Sequence, residues 1–158
     1  MNLRKTTSAL AIAALLHASN AVAATTPNSA ITPQTPNRAL AQLTAAGTVT
    51  VYTAGANGSI CSGLTTSNTD ASATHLLTLA IKNSSVTYVV VEFVSTEATA
   101  TAVNPVSLMS SAVWPGLSVD ANGNPFFYLV SGDTVTLTAA TAFTASAVVN
   151  VFGNCSDF

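Results

Sequence analysis

Outside a short N-terminal leader, the side chains able to ionise are Arg38, Lys82, His75, Asp70, Glu92, Glu97, Asp120, Asp133 and Asp157. General acid–base, metal and phosphate chemistry all need such groups in clusters. Here they stand singly among Thr, Ala, Val, Ser and Asn. The reading is therefore of a protein that is not an enzyme, with no catalytic residue, no metal site and no cofactor.

Each constellation that could contradict this has a simpler account. Asp70, His75 and one of many serines would compose a hydrolase triad, but no G-x-S-x-G presents a nucleophile on a strained turn. His75 opens a predicted strand after a turn over 68–74, where a solvated histidine is expected. Asp120-Ala121-Asn122-Gly123-Asn124 has the look of a calcium loop, yet it offers one acid followed by Pro125 and reads as a hairpin turn. Glu92 and Glu97 would serve a glycosidase only if they faced each other across a cleft. The period places Glu92 with Tyr88, Val90 and Val94 on one strand face, opposite Val89, Val91 and Phe93.

The leader has Arg4 and Lys5, an apolar stretch over 9–16, and the small-residue site Ala21-Val22-Ala23. That is the plan of a secretory signal over 1–23, too short in its apolar part for the roughly 20 residues of a membrane span. Cleavage after Ala23 would leave a mature chain without a membrane span, exported to the periplasm, the medium or the cell surface. Of the 4 Lys and Arg, that chain keeps only Arg38 and Lys82, against 6 Asp and Glu. Such a balance argues against a nucleic-acid partner, which needs a basic stripe. Cys61 and Cys155 are the 2 cysteines, and an exported pair reads as a disulfide, with buried free thiols as the alternative.

The elements follow from proline and from period. Residues 24–46 include Pro27, Pro33 and Pro36, each preceded by Thr, which predicts an extended Thr/Pro-rich arm, either free or docked on a neighbouring subunit. From 47 to 158 the period is two. About eight strands are predicted, over 47–53, 59–67, 75–82, 86–95, 105–109, 126–131, 134–138 and 146–152. Gly55-Ala56-Asn57-Gly58, Asn83-Ser84-Ser85 and Ser131-Gly132-Asp133 supply turns between them. The fold class is all-β: an antiparallel, jelly-roll-like β-sandwich with an extended N-terminal arm. An outer-membrane barrel fits less well, because most strands fall short of about 9–11 residues and their second face is Thr-rich.

Trp114 is expected to cover one end of the core, with sugar stacking as its functional alternative. Sheet edges are normally protected by Lys, Pro or inward charge, and Lys82 alone stands on a predicted strand. Tyr88 and Val90 on a neutral outer face, together with Trp114 and Asn122 in the loops, are the candidate ligand or interface residues. Self-association or docking on a larger protein assembly is the expected partnership.

Five phrases carry a resemblance: TPNSAITPQTPNRA, VYTAGANGSI, LTLAIKNSSVTYVV, DANGNPFFYLVSGDTVTL and the terminal SDF. Together they resemble small β-sandwich proteins encoded among the structural genes of tailed phages and prophages, virion decoration or fibre-associated components. The similarity spans nearly the whole mature chain and implies a non-enzymatic structural part. The leader and the cysteine pair depart from that pattern, since a virion part assembled in the cytoplasm needs neither. The chain is expected to be virion-associated if the leader is not used for export. A secreted module that binds carbohydrate or another surface ligand is the second functional expectation.

Overall fold

The computed structural model describes residues 35–99 and 103–158, all of them in one compact unit, Pro33–Phe158. The expected signal over 1–23 and the arm up to residue 34 lie outside the described residues. Ten strands follow in order: β1 (Thr35–Leu43), β2 (Gly47–Thr53), β3 (Ser59–Asn68), β4 (His75–Asn83), β5 (Val86–Ser95), β6 (Asn104–Ser107), β7 (Ser118–Val119), β8 (Pro125–Leu129), β9 (Thr134–Ala139) and β10 (Val149–Asp157). They make two antiparallel sheets. The first runs β1-β10-β3-β8-β7, with β6 also on β3; the second runs β2-β9-β4-β5.

The sandwich read from the sequence is the fold observed, and period-two alternation accounts for its core. In β9 Val135, Leu137 and Ala139 point inward, while Thr134 and Thr138 are only partly buried. Leu77 and Leu79 of β4, Val149 and Val151 of β10, and Leu64 and Leu108 complete the interior, all essentially without solvent exposure. Each contributes about 1.5–3 kcal/mol on burial.

Three expectations change. The sandwich begins at Thr35 rather than Gly47, because the second half of the predicted arm is β1, paired along its whole length with β10. Pro36 is tolerated because β1 is the outermost strand of its sheet, where a missing N–H breaks no ladder. The last strand extends to Asp157 instead of stopping at residue 152. Finally, β5 shifts register against β4 between Leu79 and Ala80. One extra residue there inverts the alternation, so Val89 is exposed and Val90 packs against the core.

Cys61 and Cys155 lie directly opposite each other on β3 and β10 and form a disulfide, with Cα atoms 4.1 Å apart. Its sequence separation of 94 residues closes most of the domain into one loop. For a loop of that order the chain-entropy contribution is about 4.7 kcal/mol, an upper figure. Replacing both cysteines by Ala is expected to lower the urea midpoint strongly, with reductant reproducing the effect in the native chain and doing nothing to the variant. Unfolding curves with and without reductant check this.

Candidate functional site

The outer face of the first sheet carries an open groove of about 830 Å³. Its position follows from a bulge. The β3–β10 register shifts between Phe152 and Asn154, and Gly63 on the bulged strand takes φ +69°, a conformation that side chains disfavour. Beside it Ser62, Asn154 and Ser156 face outward into the groove with Ile60. Strand β8 supplies the aromatic wall. Phe127 and Leu129 face the core, so Phe126 and Tyr128 face out, edge to face at 5.2 Å, and Tyr128 is 62% exposed. The β7–β8 turn closes one end with Asp120 and Asn124.

That turn is the sequence-predicted calcium-like loop, and it is a hairpin turn as expected. The Asp120 carboxylate accepts from the backbone N–H groups of Asn122 and Asn124, both at 2.8 Å, and from Asn124 Nδ2 at 3.0 Å. The Asn124 side chain leads the interactions that hold it below the usual carboxylate range. Among the described residues no three His, Cys, Asp or Glu side chains gather to hold a metal. Asn122 itself is exposed at the turn. Trp114 is partly buried against the core, its ring 4.8 Å from Phe127, so it covers the inner side of β8 and does not line the groove. Tyr88 is 58% exposed on β5.

His75 is not solvated. It is buried, with Nε2 3.0 Å from Asp70 Oδ2 and Nδ1 3.0 Å from Thr141 Oγ1. The correction has a physical origin: Asn68, Asp70 and His75 fold the 68–75 turn inward, and Phe143 packs edge to face on the imidazole at 4.3 Å. Acid, imidazole and hydroxyl are thus in the order of a hydrolytic triad. The arrangement serves as a latch between two loops. Asp70 also accepts from Thr144 Oγ1 at 2.7 Å, from the Thr144 N–H at 2.9 Å and from the Ser72 N–H at 2.9 Å. The N–H groups of Ala147 and Val148 are likewise spent inside the loops. These bonds tie the 68–75 turn to the loop over 141–148. The Thr144 bonds, ahead of the others, hold the Asp70 carboxyl well below the usual range.

At the other end of β3 sits a second node that the sequence did not suggest. Asp157 Oδ1 accepts from Tyr52 Oη and Ser59 Oγ, both at 2.5 Å, and from the Gly55 N–H at 3.1 Å, while Oδ2 accepts from Asn37 Nδ2 at 2.8 Å. A Cβ on Gly55 would lie 2.6 Å from the Asp157 carboxyl carbon, so the turn needs glycine there. Ser59 and then Tyr52 lower the Asp157 pKa, and burial, followed by the bond to Asp157, raises that of Tyr52.

No protein-family model matches the chain, and no curated protein matches it. Among solved structures, two crystal structures of a pentameric capsid protein isolated from metagenomic phage sequences align with it. Each has 18% identity and a TM-score of 0.38, over 76% of this chain and 61% of that one. This chain thus spans less than two thirds of the solved chain.

The nodes at buried Asp70 and partly buried Asp157 give a pH dependence of definite sign. A carboxylate with a lowered folded pKa contributes stability above its unfolded value, about 3.9, and that stability is lost as pH falls toward the folded value. The contribution of these two carboxylates should therefore be present in full above about pH 5 and be lost progressively below about pH 4. Asp157→Asn and Asp70→Asn should each lower the urea midpoint at neutral pH and flatten the acid decline, as read from unfolding curves in a pH series.

Proposed function

We propose that this chain is a non-enzymatic structural protein that assembles with further copies of itself through the β5 edge. The carrying observation is the state of the sheet edges, of which β6 is 4 residues long and carries Pro105. Strand β1 bears Pro36 and Arg38, β7 is 2 residues long, and β2 exposes Gly47, Thr48, Thr50 and Thr53. Strand β5 has 10 residues, ends the second sheet, and exposes Val86, Tyr88, Val89 and Val94 beside a single charge, Glu92. Among the described residues nothing pairs with its outer edge. A long apolar edge is a template for another strand, and an antiparallel pairing of two β5 edges is self-complementary about a two-fold axis.

The sequence resemblance to phage virion accessory proteins supplies a setting in which such repeated contacts are useful. Export is the second part of the reading. It is supported by the leader pattern over 1–23 and by the Cys61–Cys155 disulfide, which persists in oxidising compartments. No helix among the described residues is long and apolar enough to cross a membrane.

Light scattering across a wide concentration series should give the wild type a mass above that of the monomer. The double variant Tyr88→Lys, Val89→Lys should be monomeric with a nearly unchanged melting temperature, since exposed substitutions typically cost within about 0.5 kcal/mol. A wild type that stays monomeric, or a variant that assembles equally well, refutes the edge assignment. For export, sequencing the N-terminus of the natural product should read from Ala24, and a retained Met1 would refute it.

A further inference from the structure

The groove on the first sheet does not belong to the β5 edge, and its lining points to a ligand of its own. We infer that it is a binding site for a neutral saccharide. The argument begins with what the lining lacks: no Lys, Arg or His reaches it, and its one charged residue is Asp120. Anionic ligands, including phosphates, sulfates and acidic sugars, would meet a carboxylate with no cation to offset it. A purely apolar ligand is disfavoured for a different reason. The side chains of Ser62, Ser107, Asn154 and Ser156 line the groove and make no hydrogen bond to other described residues, so covering them with hydrocarbon would strip their water without replacement.

A sugar ring answers both demands. It has an apolar C–H face, which fits on an exposed aromatic ring, and a hydroxyl rim in which every group both donates and accepts. Tyr128 presents its ring to solvent, braced by Phe126 at 5.2 Å on one side and by Phe158 at 6.1 Å on another. Asn154 offers an amide with donor and acceptor ends, and the serine hydroxyls adapt to either role. The β3–β10 bulge holds these groups in place: Asn154 Nδ2 lies 3.6 Å from where a Cβ of Gly63 would stand, so the amide rests over a residue with no side chain. At about 830 Å³ the groove has the size of a small-molecule site. The sequence placed its sugar-binding alternative at Trp114. The structure moves the exposed aromatic face to Tyr128.

Isothermal titration of the full chain with cellohexaose, maltohexaose, mannohexaose and chitohexaose, with hyaluronan hexasaccharide as the acidic control, tests the assignment. At least one neutral hexasaccharide should bind and the acidic one should not. Tyr128→Ala and Asn154→Ala should each weaken binding by about tenfold, the scale of one aromatic or hydrogen-bond contribution, without a large change in melting temperature. Amide chemical-shift changes on adding the bound sugar should centre on residues 60–63, 126–128 and 154–156. Failure of all the neutral sugars, a preference for hyaluronan, or binding that survives the Tyr128→Ala, Asn154→Ala double variant overturns the inference. Because the β5 variant Tyr88→Lys, Val89→Lys leaves the groove intact, it should bind the same sugar, so this site and the assembly edge fail or stand separately.

Discussion

One carboxylate joins more of this molecule than any other single group. Asp157 stands at the end of β10, inside the first sheet, and its hydrogen bonds reach Asn37 on β1, Tyr52 on β2 and the Gly55–Ser59 turn. Tyr52 belongs to the second sheet, so the two layers are tied through an ionised group as well as through hydrophobic contact. Desolvating a carboxylate is costly unless its lone pairs are met; here four donors meet them. Just past the node, the Phe158 N–H donates to the Gly58 carbonyl and Asn57 Nδ2 donates to that of Phe158. Phe158, three residues beyond Cys155, is thereby fastened to the turn that carries the chain from β2 in the second sheet to β3 in the first.

The same device recurs at the far end of β3, where Asp70 collects Thr144, Ser72 and His75, and again at Asp133, which accepts from Asn83 Nδ2 at 2.5 Å and from the Val130 N–H at 2.9 Å. With few cations in the chain, these acids take hydroxyls, amides and backbone N–H groups as partners. Charge-assisted bonds of this kind are stronger than neutral ones, and they place each acid at a turn. With so few charged groups, the loops are locked by carboxylates bonded to neutral donors and not by ion pairs between Lys or Arg and acids.

Most of the strand pattern was legible because burial on one face imposes period two, and β2 and β5 run over the residues the alternation predicts. Three things escaped it. β1 looked like a free arm because proline density outweighs a short alternation, and only a partner strand distant in sequence reveals that Pro36 sits on an edge. Bulges at Val90 and Gly63 are invisible in period, yet each changes which side chains face out. The nodes escaped for a different reason: Asp157 with Tyr52, and His75 with Thr141, are pairs made by topology. The groove was half legible. Phe126 and Tyr128 alternate with Phe127 and Leu129, but ending the last strand at residue 152 hid Asn154 and Ser156, which complete it.

The surfaces left over have a common character with two different consequences. Hydroxyls and amides keep the outer faces wet without charge: on the second sheet Thr48, Thr50, Thr78, Thr134 and Thr138 stand in registered rows, and the Thr48 and Thr138 hydroxyls meet at 2.7 Å. A charged coat repels copies of itself at long range, whereas a hydroxyl coat does not, so close approach of two molecules is opposed only by desolvation. At the β5 edge that cost is small because the exposed groups are Val and Tyr, and each backbone donor lost to water finds an acceptor in an added strand. In the groove the cost is large for any occupant lacking its own hydroxyls. Neutral polar surface thus discriminates between occupants by hydrogen-bond matching, whereas a charged surface would discriminate by sign.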